Sequence, residues 1–91
     1  MNRDQIRDVV VQSLKGVAPE MKADALARGQ DLREQLEIDS FDFLQFVVAL
    51  DRALHVPIPE SDYRRLGTLD ACVDYLAARL AQPAGRKEPG R

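Results

Sequence analysis

The sequence predicts an all-α fold, a small four-helix bundle of three longer helices and one short helix with a long first loop. Three observations lead to this prediction. Apolar residues recur at spacings of three and four in three segments, no segment alternates with a period of two, and glycine or proline residues punctuate the segment ends. The length of 91 residues and the hydrophobic content of 45% suit one domain around one core.

The first helix is predicted over residues 3–16, and Gly16 is expected to end it. Its apolar positions follow the helical repeat: Ile6, Val9, Val10 and Leu14. The connection from Val17 to Ile38 is long for so small a domain and is expected to contain a short turn near Ala23–Arg28. Because apolar residues recur along this connection, we expect it to fold over the end of the bundle.

The strongest helical pattern covers residues 39–54 and is stopped by the two prolines that follow it. Residues 60–66 leave room for one short helix. The last helix is predicted over residues 68–80, with Thr68 as its N-cap after the helix-ending Gly67. One apolar face runs along this last helix: Leu69, Cys72, Val73, Leu76 and Leu80.

Composition limits the possible functions. Residues 1–81 are expected to form the folded domain, and residues 82–91 are expected to be a disordered tail because they contain only one apolar residue. The net charge of −2 offers no basic surplus for nucleic acid, and no apolar run reaches the roughly 18 residues that span a membrane. One cysteine cannot close an internal disulfide, and one histidine cannot build a metal site with it alone. No signal peptide begins the chain, so we expect a cytoplasmic protein. We also expect it to be a monomer.

An acidic block lies at the centre of the sequence. Residues 31–62 carry two basic and eight acidic residues, which gives this block a net charge of −6. A basic partner could recognise such a block through electrostatic steering, although a run of charge often only solvates a surface.

Helical-wheel positions divide residues 39–54 into three faces, at 100° per residue. The core face consists of Phe43, Phe46, Val47, Leu50 and Leu54. The solvated face consists of Asp42, Gln45, Ala49 and Arg52. A further set of apolar residues lies off the core beside Ser40 and is called the apolar stripe below: Phe41, Leu44 and Val48. The stripe is either a second buried face of a central helix or a docking surface for a partner.

The start of this helix is specified by local chemistry. Asp39 suits the N-cap, which puts Asp42 at the third helical position, near the positive end of the helix dipole. Ile38 and Phe43 can form a hydrophobic staple around that cap. Ser40 then takes the first helical position, where its hydroxyl is not needed for capping and where an attached phosphate is favoured. Taken alone, an Asp-Ser pair before a helix is common capping chemistry.

The wider sequence around this serine resembles a known family. The run Leu36-Glu37-Ile38-Asp39-Ser40-Phe41-Asp42 is similar to the Leu-Gly-x-Asp-Ser-Leu-Asp motif of acyl carrier proteins. The resemblance extends along residues 3–80 and includes three further segments: Asp31-Leu32 in the long first loop, Val56-Pro57-Ile58-Pro59 after the second helix, and the helix that contains Thr68-Leu69 and Val73-Asp74-Tyr75-Leu76.

This resemblance implies a prosthetic group and a role. Ser40 is implied to be the attachment point for 4′-phosphopantetheine, which a phosphopantetheinyl transferase moves from coenzyme A, and Asp39 is implied to orient that step and its Mg²⁺. The thiol of the arm then carries an acyl or aminoacyl group as a thioester. The resemblance therefore implies a carrier that is not an enzyme, has no catalytic residues of its own and holds no resident metal ion.

The resemblance also implies partners. The apolar stripe becomes a docking surface, rimmed by Asp42, Asp51 and Glu60. Its partners are the transferase, an acyl- or aminoacyl-loading ligase and downstream acyl-processing enzymes.

Several positions depart from the family pattern. Phe41 replaces the usual leucine after the serine, and Gln45 and Arg52 stand where carriers of fatty acid synthesis usually have acids. Phe43 and Tyr63 stand where smaller residues usually line the acyl pocket. These departures favour a specialised carrier over a housekeeping one and predict little internal room for long acyl chains.

Three hypotheses follow in order of preference. The first is a free-standing carrier of acyl intermediates in specialised lipid or secondary metabolism; the initial methionine and the lack of flanking domain sequence favour a discrete protein. The second is an aminoacyl or peptidyl carrier protein. The third is a helical interaction module without a prosthetic group, in which Ser40 merely begins a helix.

Overall fold

All regular secondary structure in residues 1–81 is helical, which confirms the all-α prediction. The computed structural model describes these residues, and the tail prediction for residues 82–91 lies outside them. The elements in chain order are α1 Arg3–Val17, a 3-10 turn Ala23–Ala25, α2 Leu32–Leu36, α3 Ser40–Leu54, a 3-10 helix Glu60–Leu66 and α4 Leu69–Ala81. No helix of this described part is both long enough and apolar enough to cross a membrane.

Helix α1 begins with a complete capping box and runs beyond its predicted end. The Asn2 side chain accepts a hydrogen bond from the Gln5 amide at 2.8 Å, and the Gln5 side chain accepts one from the Asn2 amide at 2.9 Å. The prediction that Gly16 ends the helix is wrong by one residue. The helical hydrogen bonding continues past the glycine, because the amide of Ala18 still donates to the carbonyl of Leu14 at 2.8 Å.

The core forms where α1 packs against both α3 and α4, and α4 also packs against the 3-10 helix. The predicted core face of α3 is confirmed, because each of its five residues is buried. On α4, Tyr75 is buried although the apolar pattern did not select it, whereas Leu80 is only half-buried. The predicted N-cap of α4 is confirmed by a hydrogen bond of 3.0 Å from the amide of Ala71 to the hydroxyl of Thr68.

The connection from Val17 to Ile38 packs onto the core and contains α2, a helix that the sequence analysis did not predict. The carboxylate of Asp31 caps α2 by accepting a hydrogen bond from the amide of Glu34 at 3.0 Å. The Gln35 side chain holds the preceding chain in place, since it accepts from the amide of Ala27 at 2.9 Å and donates to its carbonyl at 2.8 Å. The acid at the cap position was the sequence signal for this helix.

Tyr75 ties α4 to the segment before it. Its hydroxyl donates to Asp62 at 2.6 Å and accepts from Arg79 at 2.6 Å, and Arg79 also donates to the carbonyl of Pro57 at 2.8 Å. The guanidinium of Arg65 lies 4.9 Å from the centroid of the Tyr75 ring. This network anchors the 3-10 helix, which contributes side chains to the site described next.

Candidate functional site

Ser40 is the first residue of α3, and it is exposed. Asp39 caps the helix as predicted: its carboxylate accepts from the amide of Asp42 at 2.9 Å, and its carbonyl accepts from the amide of Phe43 at 3.0 Å. The amides of Ser40 and Phe41 have no acceptor within residues 1–81. The hydroxyl of Ser40 is therefore not used in capping, and unpaired amides lie beside it.

The chain enters α3 through a residue in a strained conformation. Glu37 ends α2 with a φ of 54° and a ψ of 42°, in the left-handed region that side chains with a Cβ rarely adopt. The amide of the next residue, Ile38, donates back to the carbonyl of Arg33 at 3.1 Å. Glycine fills this position in the motif that the sequence resembles, so the chain keeps the turn at a cost of about 1–2 kcal/mol. The strained turn leads directly to the cap and to Ser40.

A groove of about 640 Å³ opens beside Ser40 and is called the serine groove below. Three separate parts of the chain line it: Ser40, Phe41, Phe43 and Leu44 from α3; Asp31 and Arg33 from the region of α2; and Glu60, Tyr63, Arg64 and Gly67 from the 3-10 helix and its end. The rings of Phe43 and Tyr63 thus share the groove, as the sequence analysis expected, with Phe43 buried and Tyr63 half-buried.

The apolar stripe lies outside the core, as its wheel position predicts. Phe41 is 64% exposed, Leu44 41% and Val48 40%, whereas the neighbouring Val47 is only 2% exposed. A second groove, of about 710 Å³, runs along the stripe and is called the stripe groove: Phe41, Leu44, Gln45, Val48, Ala49, Arg52 and Ala53 line it. The stripe is therefore an exposed apolar surface that begins next to Ser40.

The three acids predicted to rim the stripe do not lie together. Glu60 lines the serine groove, close to the candidate attachment point. Asp51 is half-buried and follows Val48 by three residues on α3, which puts the two side chains on one face. Asp42 lines a different groove, formed with residues 17–21 and 35–38. Glu60 thus shares a groove with Phe41 and Leu44 of the stripe, the helical repeat alone puts Asp51 on the stripe side of α3, and Asp42 lines a groove apart from it.

Two arginines in the serine groove were not singled out from the sequence. Arg33 lies on α2 and Arg64 on the 3-10 helix, and both are exposed. The three ion pairs of residues 1–81 involve other arginines. No local sequence pattern predicts that Arg33 and Arg64 line a groove with Ser40, because only tertiary packing brings these three residues to one groove.

Metal ligands and the cysteine thiol are other groups in residues 1–81 that could form a reactive site. No group of three or more His, Cys, Asp or Glu in residues 1–81 is placed to hold a metal ion. Cys72 is fully buried, its thiol donates to the carbonyl of Leu66 at 3.1 Å, and burial raises the pKa of this thiol from 9.0 to about 12. A thiol that stays protonated and out of solvent does not act as a nucleophile.

The surroundings of Ser40 fit an attached phosphorylated group. An exposed hydroxyl lies at the positive end of a fifteen-residue helix, beside unpaired amides, and two cationic side chains line the same groove. An anion attached there would meet hydrogen-bond donors and positive charge, and the open groove leaves room for a substituent.

Proteins of known family are similar to this chain over most of its length. A family model described as "Phosphopantetheine attachment site" matches residues 5–76. The acyl carrier protein of Campylobacter fetus subsp. fetus (strain 82-40) is 36% identical over 73 residues, which cover 80% of this chain and 88% of the relative. That of Campylobacter hominis is 34% identical over 73 residues, covering 80% and 86%. That of Chlorobium luteolum is 26% identical over 77 residues, covering 85% and 92%.

Proposed function

The chain belongs to the acyl carrier protein family, and we propose that Ser40 is the attachment point of its prosthetic arm. Membership makes the protein a non-catalytic carrier with a covalently attached 4′-phosphopantetheine, which interacts with a phosphopantetheinyl transferase and with acyl-processing enzymes. One observation supports the choice of Ser40 above all. It is an exposed serine at the first position of α3, and Asp39 already provides the cap, so the Ser40 hydroxyl is free to react.

The proposed loading step conserves atoms and charge as follows. The Oγ of Ser40 bonds to the phosphorus that carries the pantetheine half of coenzyme A, and the bond from that phosphorus to the nucleotide half breaks. Adenosine 3′,5′-bisphosphate leaves, and the hydroxyl proton passes to a base of the transferase. Asp39 uses Oδ1 for the amide of Asp42, so its second carboxylate oxygen is available to orient this step and its Mg²⁺.

The carrier role follows from where the residues lie. When bound, the arm supplies a terminal thiol that holds the cargo as a thioester, whose acyl carbon is open to attack. Ser40 tethers that arm at the rigid end of α3, and the apolar stripe begins at the next residue. A partner that docks on the stripe therefore receives the cargo at high effective concentration.

The pathway is the finer part of the proposal. Gln45 and Arg52 line the stripe groove, so the docking surface lacks two acids that carriers of fatty acid synthesis usually present. This difference supports a partner whose docking surface is less basic than that of a fatty acid synthesis enzyme, and hence a role in specialised lipid or secondary metabolism.

A charge substitution tests this role. Replacing Gln45 and Arg52 with glutamate should raise the rate of acyl transfer by a fatty acid synthesis enzyme about tenfold, because opposite charges on the two proteins speed their association. An unchanged rate would contradict the specialised role.

Intact mass spectrometry tests the attachment site. The protein is incubated with coenzyme A, Mg²⁺ and a promiscuous phosphopantetheinyl transferase. Wild-type protein should gain the mass of one arm, and Ser40→Ala should gain none while keeping its thermal midpoint, because Asp39 still caps α3. Ser61→Ala removes another exposed serine, outside α3, and should load fully. Loading of Ser40→Ala would overturn the assignment, and a wild-type protein that stays unmodified would favour the interaction-module hypothesis.

A further inference from the structure

The serine groove gathers positive charge from two elements that do not contain Ser40. Arg33 comes from α2 and Arg64 from the 3-10 helix, and both side chains line the groove that Ser40 also lines. Within residues 1–81, the ion pairs are formed by Arg3, Arg28 and Arg79. Both groove arginines are thus free, among these residues, to bind an anion.

Two acids also line the groove, Asp31 and Glu60, and they balance its formal charge, but neither forms an ion pair with Arg33 or Arg64 among residues 1–81. Asp31 is occupied as the cap of α2, where its Oδ2 accepts from the amide of Glu34 at 3.0 Å. Glu60 begins the 3-10 helix and makes no ion pair with Arg64 in the described part of the chain.

We propose that Arg33 and Arg64 bind the phosphodiester that attachment of the arm creates on Ser40. This inference rests on the proposed role of Ser40. The phosphodiester carries one negative charge and two free oxygens, which suit the planar fork of a guanidinium. The unpaired amides of Ser40 and Phe41 add two donors at the positive end of α3.

The two arginines thereby act on the root of the arm and not on its reactive end. A bound phosphodiester fixes where the arm leaves the protein surface, while the thiol beyond it keeps its reach. Since both arginines are exposed, their hold is reversible and weakens with salt.

Phosphorus NMR of the loaded protein tests this proposal. Holo samples without cargo are prepared for the wild type, for the Arg33→Gln/Arg64→Gln double variant and for Arg7→Gln/Lys15→Gln. Arg7 and Lys15 are exposed cations on α1 that line neither the serine groove nor the stripe groove, so their double variant controls for loss of two charges. Intact mass establishes that Ser40 is loaded in each sample, and the amide spectrum establishes that each variant is folded.

The expected result is a transverse relaxation rate of the phosphorus about twofold higher in the wild type than in the double variant at low salt, with the difference lost at high salt. The Arg7→Gln/Lys15→Gln sample should match the wild type. The side-chain Nε signals of Arg33 and Arg64 should also shift on loading. Equal relaxation in a loaded wild type and a loaded double variant would overturn the arginine proposal alone. A Ser40 that takes up no arm would overturn the function proposed for it as well.

Discussion

Two adjacent valines on α3 allow a sharp test of the boundary between core and docking surface. Val48 is 40% exposed, and Val47 is 2% exposed. Replacing Val48 with lysine removes little buried apolar area, and the methylene stem of lysine covers part of the surface that the valine covered. Lysine also has the higher helix propensity. We expect the free energy of unfolding to change by less than about 0.5 kcal/mol.

The same substitution at Val47 should behave very differently. A buried valine contributes about 1.5–3 kcal/mol through burial, and an ammonium placed among apolar side chains costs several kcal/mol more. The described domain should have a total stability of about 4–12 kcal/mol, from the usual value per residue. Val47→Lys should therefore unfold a large fraction of the protein.

Circular dichroism melting and a transfer assay together check this reasoning. The thermal midpoint of Val48→Lys should lie within about 4 °C of the wild type, while acyl transfer by a cognate enzyme should fall about tenfold because the stripe is the proposed docking surface. Val47→Lys should show a weak or absent transition. A strongly destabilised Val48→Lys would refute the exposed stripe, and a stable Val48→Lys with unchanged transfer would refute its docking role.

Three further predictions follow from individual contacts. Iodoacetamide should modify Cys72 only after unfolding, and labelling of the native protein at pH 8 would contradict its burial. The free energy of unfolding of the wild type should fall between about pH 9 and 12, because the unfolded chain loses the thiol proton at a lower pH than the folded protein does. Cys72→Ala should lack this contribution to the pH dependence. Tyr75→Phe should lower the free energy of unfolding by about 1–3 kcal/mol in urea titrations, since it removes the hydroxyl that donates to Asp62 and accepts from Arg79. Tyr63→Phe should have almost no effect, and equal effects of the two substitutions would contradict the hydrogen-bond network around Tyr75. Long acyl chains should stay near the surface, because the rings of Phe43 and Tyr63 line the serine groove where smaller residues usually line the acyl pocket. Core amide shifts should therefore not grow with chain length, except in Tyr63→Ala. Growth in the wild type would show that the two rings move aside.

Much of α3 was predictable because its determinants are local. Asp39 as the cap and Ser40 as the first helical residue depend on immediate neighbours in the sequence. The division of α3 into a core face and an exposed stripe depends on residues up to four positions apart. A spacing of 100° per residue fixes the relative faces of a helix, whatever it packs against. The end of α1 at Gly16 was predicted less well, because glycine permits a helix end without requiring one.

The helix α2 and the network around Tyr75 show where such reasoning reaches its limit. Five residues are too few for a periodic signal, and α2 gains its stability by packing its leucines on the core. Tyr75 is buried because Asp62 and Arg79 satisfy its hydroxyl, and these partners are known only once the 3-10 helix docks on α4.

The sequence by itself determined the three longer helices, the core face of α3 and the serine at its start, because hydrogen bonding and hydrophobic burial act there over one helical turn. Only the tertiary structure decided what surrounds that serine. Arg33, Tyr63 and Arg64 reach the serine groove from elements that are remote from Ser40 in the sequence or joined to it by a strained turn. Which side chains share a groove depends on the packing of α3 with its neighbours, and no local spacing encodes that packing.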